Sequence, residues 1–241
     1  MIEDRLRAAP HNNAERKQTL DLTLGRAGCK GPDLTEQPVK HQDLPNLICT
    51  LRGTTDSTII VGAHFDKVSP GDGVVDNWSG ASLLPRLFES LQNHPRRHTF
   101  VFVGFATEEE RLAGSKSYVK QMTPTQVAAT RAMVNIDTLG LGPTKLWLNH
   151  SDPKLAGALF AMAQSLKLSL AMMNADRVGD DDSDPFIRRR IPTLMVHSVT
   201  QKILHILHSG QDNLAAVSFG DYYDTYRLLA AYLAWIDTTL T

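Results

Sequence analysis

Three stretches of the chain share one pattern, an apolar run that stops abruptly at charged residues. They are STIIVGAHFD (residues 57–66), RHTFVFVGFATEEE (97–110) and RAMVNIDTLG (131–140), and the shorter IPTLMVHS (191–198) has a similar apolar run. Runs that are apolar at nearly every position are typical of strands buried on both faces. We therefore predict four interior strands of one sheet.

Segments with apolar residues at helical spacing alternate with these strands. They predict helices over residues 14–29, 81–93, 115–122, 151–168 and 221–237. The first ends near Gly28, and the second contains Pro85, which is unfavourable inside a helix.

The remaining segments predict two more strands and two loops. Strands over residues 33–40 and 46–53 are joined by a turn at Pro45, and polar, glycine-rich stretches predict loops over 68–80 and 179–186. Buried strands that alternate with helices indicate an α/β protein, a three-layer α/β/α sandwich with a mixed, mainly parallel central sheet.

Length and composition limit the organisation and the partners. With 241 residues, of which 42% are hydrophobic, the chain can bury one sizeable core, so we predict a single domain over residues 1–241. The formal charge of −1, with 25 basic and 26 acidic residues, indicates neither nucleic acid nor a membrane as a partner. The oligomeric state stays open and is compatible with a monomer.

The two cysteines, Cys29 and Cys49, allow two interpretations. If they lie on neighbouring antiparallel segments they can form a disulfide, which is typical of a secreted or periplasmic protein whose signal peptide was removed. Otherwise they are buried free thiols, as in a cytoplasmic protein. The polar N-terminus does not resemble a signal peptide, and the expectation is a soluble chain.

Side chains able to bind a metal follow the buried strands. His64, Asp66, Glu108, Glu109 and Asp137 come at or just after strand ends, where open α/β sheets bind their ligands. Imidazole and carboxylate are the usual ligands of hydrolytic zinc. Asp66 is placed to accept a hydrogen bond from the second ring nitrogen of His64, which would fix the tautomer that a metal ligand needs.

Two more candidates complete the set. Asp76 lies in the loop VVDNWSG, where small residues let the backbone fold around a cation, and His208 lies in LHSGQDN. Each residue alone is weak support for a metal site, because an acid after a strand is more often a helix cap or a solvated residue. Their recurrence at one edge of the sheet favours a site for one or two metal ions.

The motifs GAHFD, GVVDNWSGAS, ATEEERLAGSKSY, NIDTLG, DDSDPF and LHSGQDN resemble, in order and spacing, the zinc aminopeptidase family that also contains glutaminyl cyclases and glutamate carboxypeptidases. The resemblance runs from about the first strand to the C-terminus. It implies the zinc exopeptidase fold and one catalytic domain.

The resemblance also implies a ligand set. His64 and Asp137 would hold one Zn²⁺, Glu109 and His208 would hold a second, and Asp76 would bridge the two. A cyclase would hold a single zinc.

The choice of Glu109 within the acidic run depends on register. The family places a Gly-Ser pair five and six residues after the metal-binding Glu, and Gly114 and Ser115 select Glu109. Glu108 is then the general base, and Glu110 is a first-turn helix acid.

The choice of histidine depends on its neighbours. Among His197, His205 and His208, only His208 combines the two neighbours that the family pattern has, a hydroxyl residue next to it, Ser209, and an acid four residues on, Asp212. We therefore predict His208 as the ligand.

Two further features follow from the resemblance. The peptide between Asp76 and Asn77 is expected to be cis, and Asp182 matches the Asp of the family's SDHxPF segment, although Ser183 replaces the usual His. The substrate pocket is expected to take residues from LGLGPTKLW, DDDSDPF and VTQKILHIL.

The predicted function is that of a zinc metallo-aminopeptidase that acts on peptide or aminoacyl substrates. The first alternative is glutaminyl-peptide cyclisation, towards which DPFIRRRIPTL and HSGQDN lean. The second is a binding module on the same fold without catalysis. The sequence does not predict the preferred side chain.

Overall fold

The computed structural model describes residues 2–174 and 179–240, which form an eight-stranded mixed sheet between two layers of helices. The strands are β1 (Leu34–Gln37), β2 (Asn46–Leu51), β3 (Thr58–His64), β4 (Thr99–Phe105), β5 (Thr130–Ile136), β6 (Thr144–Trp147), β7 (Leu170–Met173) and β8 (Thr193–His197). The α-helices are α1 (Ile2–Arg7), α2 (Asn13–Ala27), α3 (Ser79–Ala81), α4 (Leu84–Leu91), α5 (Ala113–Gln121), α6 (Pro124–Ala129), α7 (Pro153–Leu166), α8 (Asp184–Arg188) and α9 (Phe219–Thr239).

The strand order is β1-β2-β4-β3-β5-β8-β6-β7. Strands β4, β3, β5 and β8 run parallel, whereas β1, β2 and β6 join by antiparallel pairing. The predicted sandwich with a mixed, mainly parallel sheet is confirmed. Because the parallel strands end at one edge, the residues that follow them are brought together there.

Both faces of the central strands are buried, as their apolar runs predict. On β3, Ile59 and Val61 belong to the large core beneath α2, α4, α7 and α9, and Ile60 belongs to a smaller core on the other face, with Val119 of α5 and Phe186 of α8. Alternate residues of a strand point to opposite faces, so one apolar run supplies two cores.

Helix α2 ends where the sequence predicts, since Gly28 caps it in the left-handed conformation with φ 113°. Cys29 follows directly and forms a disulfide with Cys49 of β2, their Cα atoms being 6.1 Å apart. The disulfide interpretation is therefore confirmed, and the bridge ties the end of α2 to the sheet.

The helix predicted over residues 81–93 is interrupted. Its chain forms α3 and then α4, and Pro85 lies in the first turn of α4, where a missing backbone N–H leaves no helical bond unmade. The predicted loop over 179–186 also needs correction at its end, because α8 begins at Asp184 with Pro185 in its first turn. In the part of the chain that the structure describes, no helix has the length and apolarity to cross a membrane.

Candidate functional site

The carboxyl ends of β3, β4 and β5 border a cavity of about 630 Å³. All the predicted metal ligands and the predicted base line it; they are His64, Asp76, Glu108, Glu109, Asp137 and His208. Asp66 is buried directly behind His64, with 2% of its surface exposed. The structure therefore brings together all seven side chains predicted from the sequence.

Asp76 reaches this edge because its loop is tied to the end of β5. The loop forms an irregular turn, Val74–Trp78, and the Asn77 amide donates to the Ile136 carbonyl at 3.0 Å and accepts from the Thr138 N–H at 3.2 Å. The Asp76-Asn77 peptide is cis, as expected from the sequence. The Asn77 side chain thus keeps Asp76 beside Asp137.

One group of donors gathers at the end of β3. Nε2 of His64 lies 3.2 Å from Oδ1 of Asp76 and 3.5 Å from Oδ1 of Asp137. The three donor atoms all lie within 4.8 Å of one another. Such a spacing allows one cation to contact all three.

A second group shares Asp76. Nε2 of His208 lies 3.2 Å from Oδ2 of Asp76 and 3.0 Å from Oε2 of Glu109. The two carboxylate oxygens of Asp76 therefore face different groups. His208 is the exposed member, with 55% of its side chain accessible, whereas the other donors are largely buried.

The donor chemistry of both groups fits zinc. Each offers one imidazole nitrogen and two carboxylate oxygens, the set used by hydrolytic zinc sites that keep a position open for water. Oε1 of Glu109 is buried and has no hydrogen-bond partner among the described residues. A carboxylate oxygen left without a partner beside this donor set is consistent with a cation as its missing partner.

The charged side chains of the site shift one another's pKa values. Burial acts to lower the pKa of His64, but the carboxylates of Glu108 and Asp137 outweigh it and raise that pKa well above the usual range. Hydrogen bonds to Asp76 and Glu109 raise the pKa of His208 to about 10. Without a metal ion, the neighbouring carboxylates therefore favour the protonated form of both imidazoles.

The pKa values of Asp76 and Asp137 are shifted in opposite directions. Burial acts to raise the pKa of Asp76, but hydrogen bonds from His208 and His64 hold it below its usual range. Burial raises the pKa of Asp137, and His64 opposes the rise. Asp76, which lies between the two imidazoles, is therefore the more readily ionised of these two acids.

Glu108 stands beside the donors but outside both groups. Its Oε2 lies 4.0 Å from His64 Nε2, and burial together with the charges of Asp182 and Asp137 raises its pKa well above the usual range, against the effect of His64. A bound cation acts on such a carboxyl in the opposite direction and favours its ionised form.

The register chosen from the sequence has a physical basis at Gly114. A Cβ there would collide with the carbonyl oxygen of Ala106 and the side-chain oxygen of Asn46, so α5 can pack this closely against the end of β4 only with glycine. Glu110 is not the first-turn helix acid that was expected, because α5 begins only at Ala113; it accepts a hydrogen bond from Gln42 at 2.9 Å in an exposed position.

Asp66 makes contacts that the sequence did not predict. Its two oxygens accept from the backbone N–H groups of Glu108 at 3.0 Å and Glu109 at 3.2 Å. The expected contact, from Nδ1 of His64, is 3.5 Å long, beyond a well-formed hydrogen bond. Asp66 therefore fixes the backbone that carries the predicted base and ligand, and its effect on the His64 tautomer stays a prediction.

Two residues that support the site escaped the sequence predictions. Arg16 of α2 is fully buried, and its guanidinium donates to the carbonyls of Phe65 at 3.2 Å, Asp72 at 2.5 Å and Gly73 at 2.8 Å. A charged residue at a helix position without a marker motif is ordinarily expected in solvent, so the sequence carried no signal for this role.

Asp212 is the second residue whose support of the site the sequence did not predict. The sequence used it only to select His208, but its carboxylate accepts from the Val75 N–H at 2.7 Å and the Asp76 N–H at 3.3 Å. It thereby connects the loop of His208 to the loop of Asp76.

The DDSDPF segment lies beside the cavity. Asp182 is buried, and burial raises its pKa to about 8. Ser183 is buried too, and an imidazole does lie near it: Nδ1 of His150 is 3.4 Å from Ser183 Oγ and 2.6 Å from Oδ2 of Asp181. Nothing in the sequence predicted that His150 would lie there.

The rejected histidines differ in position. His197 lines the cavity from the end of β8 and belongs to neither donor group. His205 is exposed, and its Nδ1 lies 3.0 Å from the Lys202 carbonyl. The cavity wall also contains Trp147, Asp181 and Leu204, one from each of the three segments expected to form the substrate pocket.

A known protein family matches most of the chain. The model described as peptidase family M28 matches residues 46–233. An aminopeptidase of Pseudomonas aeruginosa is 32% identical over 122 residues, which cover 48% of this chain and 23% of that protein. Aminopeptidase YwaD of Bacillus subtilis is 23% identical over 168 residues, 66% of this chain and 37% of the relative. The chain thus spans less than half the length of these curated relatives.

Solved structures share the fold. The LapA aminopeptidase of Legionella pneumophila superposes with a TM-score of 0.83 at 15% identity, covering 100% of this chain and 71% of that one. A glutaminyl cyclase from an Acidobacteriales bacterium gives a TM-score of 0.79 at 17% identity, covering 99% and 92%. At these identities the likeness concerns the fold alone.

Proposed function

Because the chain belongs to peptidase family M28, we propose that it is a metal-dependent exopeptidase, an aminopeptidase that removes N-terminal residues from peptides. The observation that carries the proposal is the position of Asp76, whose Oδ1 lies 3.2 Å from His64 and whose Oδ2 lies 3.2 Å from His208. A carboxylate with one oxygen toward each donor group is the arrangement that a shared ligand of two cations requires.

In the proposed site, His64 and Asp137 hold one zinc ion, Glu109 and His208 hold the second, and Asp76 is shared. When bound, zinc supplies a Lewis acid that polarises the scissile carbonyl and lowers the pKa of water toward about 7. The protein contributes the fixed positions of the donors, since β3, β5 and the Asn77 hydrogen bonds hold them at one sheet edge.

Glu108 is the proposed general base. It lines the cavity without belonging to either donor group, and 13% of its side chain is exposed. Its carboxylate takes a proton from the attacking water and returns it to the leaving amine. Asp66 assists by binding the backbone N–H groups of Glu108 and Glu109, which limits movement of the base relative to its neighbour.

A second candidate function is cyclisation of an N-terminal glutamine at a single zinc. The specific observation in its favour is the segment DPFIRRRIPTL, which resembles the cyclase subgroup. Against it, both donor groups are complete, and Gly114 and Ser115 follow Glu109 at the aminopeptidase spacing. A binding module without catalysis is less well supported, because Glu108 and all the proposed ligands line one cavity.

The experiment compares two substrates on chelator-stripped protein to which zinc is returned in measured equivalents. The proposal expects hydrolysis of leucine p-nitroanilide that is lost on stripping and restored as the second equivalent binds. Formation of a pyroglutamyl product from a Gln-peptide at one equivalent, without aminoacyl hydrolysis, would favour the cyclase. Protein that binds no zinc and turns over neither substrate would support the binding module.

A further inference from the structure

Two residues of the cavity wall on the side of β6 and β8 have a buried ring N–H group that lacks an acceptor. His197 of β8 and Trp147 of β6 both line the cavity, and neither Nε2 of His197 nor Nε1 of Trp147 has a hydrogen-bond partner among residues 2–174 and 179–240. The strands pair antiparallel with Lys145 opposite His197, so Trp147, two residues further, lies on the same face as His197. Met195, which belongs to the same apolar cluster as Trp147, lies two residues before His197 on β8.

The protonation of His197 follows from its contacts. The Val199 N–H donates to Nδ1 at 3.2 Å, so Nδ1 is the acceptor and the proton of the neutral ring is on Nε2. Burial, with the nearby ammonium of Lys145, lowers the pKa of His197 to about 4. Nζ of Lys145 is itself occupied by the Pro143 and Ser198 carbonyls, at 2.9 and 2.8 Å. His197 is therefore a neutral donor at pH 7.

The ring of Trp147 is held in place by its neighbours. Its ring stacks on that of His150, with centroids 3.9 Å apart and an interplanar angle of 5°, and His150 is fixed by Asp181 at 2.6 Å. Only 5% of Trp147 is exposed. The indole N–H can only donate, so its missing partner must be an acceptor.

Leaving a buried donor unpaired costs about 1–3 kcal/mol. Two such donors on one wall therefore favour a ligand whose acceptor atoms form hydrogen bonds with them. The charges of the wall limit what that acceptor can be. The carboxylates of Asp180 and Asp181 line the same cavity and disfavour an anionic group, and the cations that line it, Arg111 and Lys116, lie at the β4 side, three strands away. An amide fits, since its oxygen accepts and its NH₂ group can donate to an acid.

We propose that this wall binds the side chain of the substrate's N-terminal residue and selects uncharged side chains with an acceptor oxygen, above all the amide of asparagine or glutamine. The inference rests on the proposed exopeptidase function, which places the N-terminal residue in the cavity beside the donor groups. It assigns His197 and Trp147 as specificity-determining residues that have no part in holding zinc.

The test compares asparagine and leucine p-nitroanilides, which have side chains of similar size and branching, on the zinc-loaded protein. Asparagine also avoids the cyclisation open to glutamine. We expect kcat/KM to favour asparagine by about tenfold or more, the effect of roughly one or two hydrogen bonds. Trp147→Phe and His197→Leu should each move the Asn/Leu ratio toward one, and His197→Gln, which keeps a donor, should retain part of the preference.

His205→Leu is the matched control, because His205 is exposed and does not line the cavity. The Asn/Leu ratio of kcat/KM in this variant should equal that of the parent protein. Thermal unfolding of each variant identifies any that has lost its fold, and the ratio, measured on one preparation, is independent of the active fraction. Equal or faster hydrolysis of the leucine substrate, or a ratio that neither Trp147→Phe nor His197→Leu changes, would overturn this inference and leave the exopeptidase in place. Hydrolysis of neither substrate would reject the proposed function and this inference with it.

Discussion

The guanidinium of Arg16 donates a hydrogen bond of 3.2 Å to the carbonyl oxygen of Phe65, the residue between His64 and Asp66. The same group binds the carbonyls of Asp72 and Gly73, at the start of the loop that carries Asp76. Arg16 lies outside residues 46–233, the part that matches the M28 model. The N-terminal helix α2 therefore completes the support of the candidate metal site.

Replacing Arg16 by Met should remove the hydrogen bonds that hold Phe65, between His64 and Asp66, and the start of the loop that carries Asp76. The carbonyls of Phe65, Asp72 and Gly73 each lose a hydrogen bond, at a cost of about 1–3 kcal/mol for a buried group that is left without a partner, so part of the effect should appear in unfolding and part in metal affinity. We expect Co²⁺ affinity, measured by its visible absorption, to fall by tenfold or more. Arg26→Met is the control, since Arg26 is exposed on the same helix. Unchanged affinity in a folded Arg16→Met protein would refute the positioning role.

Replacing Glu108 by Gln should remove the proton acceptor while leaving both donor groups intact. We expect kcat to fall by roughly 10²- to 10⁴-fold, as is usual for loss of a general base, with the zinc content unchanged. The matched control is Glu110→Gln, which changes an exposed acid of the same run that is bonded to Gln42. Activity close to normal in Glu108→Gln, or a similar loss in Glu110→Gln, would show that the base is another residue.

Zinc binding should release protons. Without metal, the pKa of His208 is raised to about 10 and that of His64 is raised well above its usual range. A histidine side chain must lose this proton before its ring nitrogen can bind zinc. Affinity must therefore decrease as pH falls below about 10, by roughly tenfold per pH unit for each proton displaced. Competition against a chromophoric chelator at pH 6 and pH 8 measures this difference, after correction for the chelator's own protonation. An affinity that is the same at both pH values would be incompatible with histidine ligands that are protonated in the free site.

Replacing both Cys29 and Cys49 by Ser should destabilise the protein without disabling the site. The bridge closes a loop with a sequence separation of 20, which corresponds to about 3 kcal/mol of unfolding free energy. Neither cysteine is among the described residues that line the cavity, so activity of the folded variant should be retained. Denaturant unfolding measures the loss, and thiol titration of the unfolded, unreduced parent should detect no free thiol.

The central strands and the residues that follow them could be predicted because each apolar run is long and ends sharply. Strand β6 could not be predicted, since it follows directly on a segment rich in Gly and Pro, and β7 could not because its four residues, LAMM, include no β-branched or aromatic residue. This omission matters, because β6 carries Trp147 into the cavity wall.

The supports of the site were harder still to predict. Arg16 reaches carbonyls 49 to 57 residues away, and such contacts depend on how α2 packs on the sheet. By contrast, the sequence did single out Gly114, through the Gly-Ser spacing of the family, and this glycine marks the close approach of α5 to β4. Local patterns thus suggested the candidate donors, whereas long-range packing determines which residues hold them in place.

The most direct test of the account is zinc-edge anomalous diffraction from crystals of the zinc-loaded protein. We predict two anomalous peaks, one contacted by His64 and Asp137 and the other by Glu109 and His208, with Asp76 contacting both. A single peak, or none at these residues in fully loaded protein, would contradict the two-metal exopeptidase.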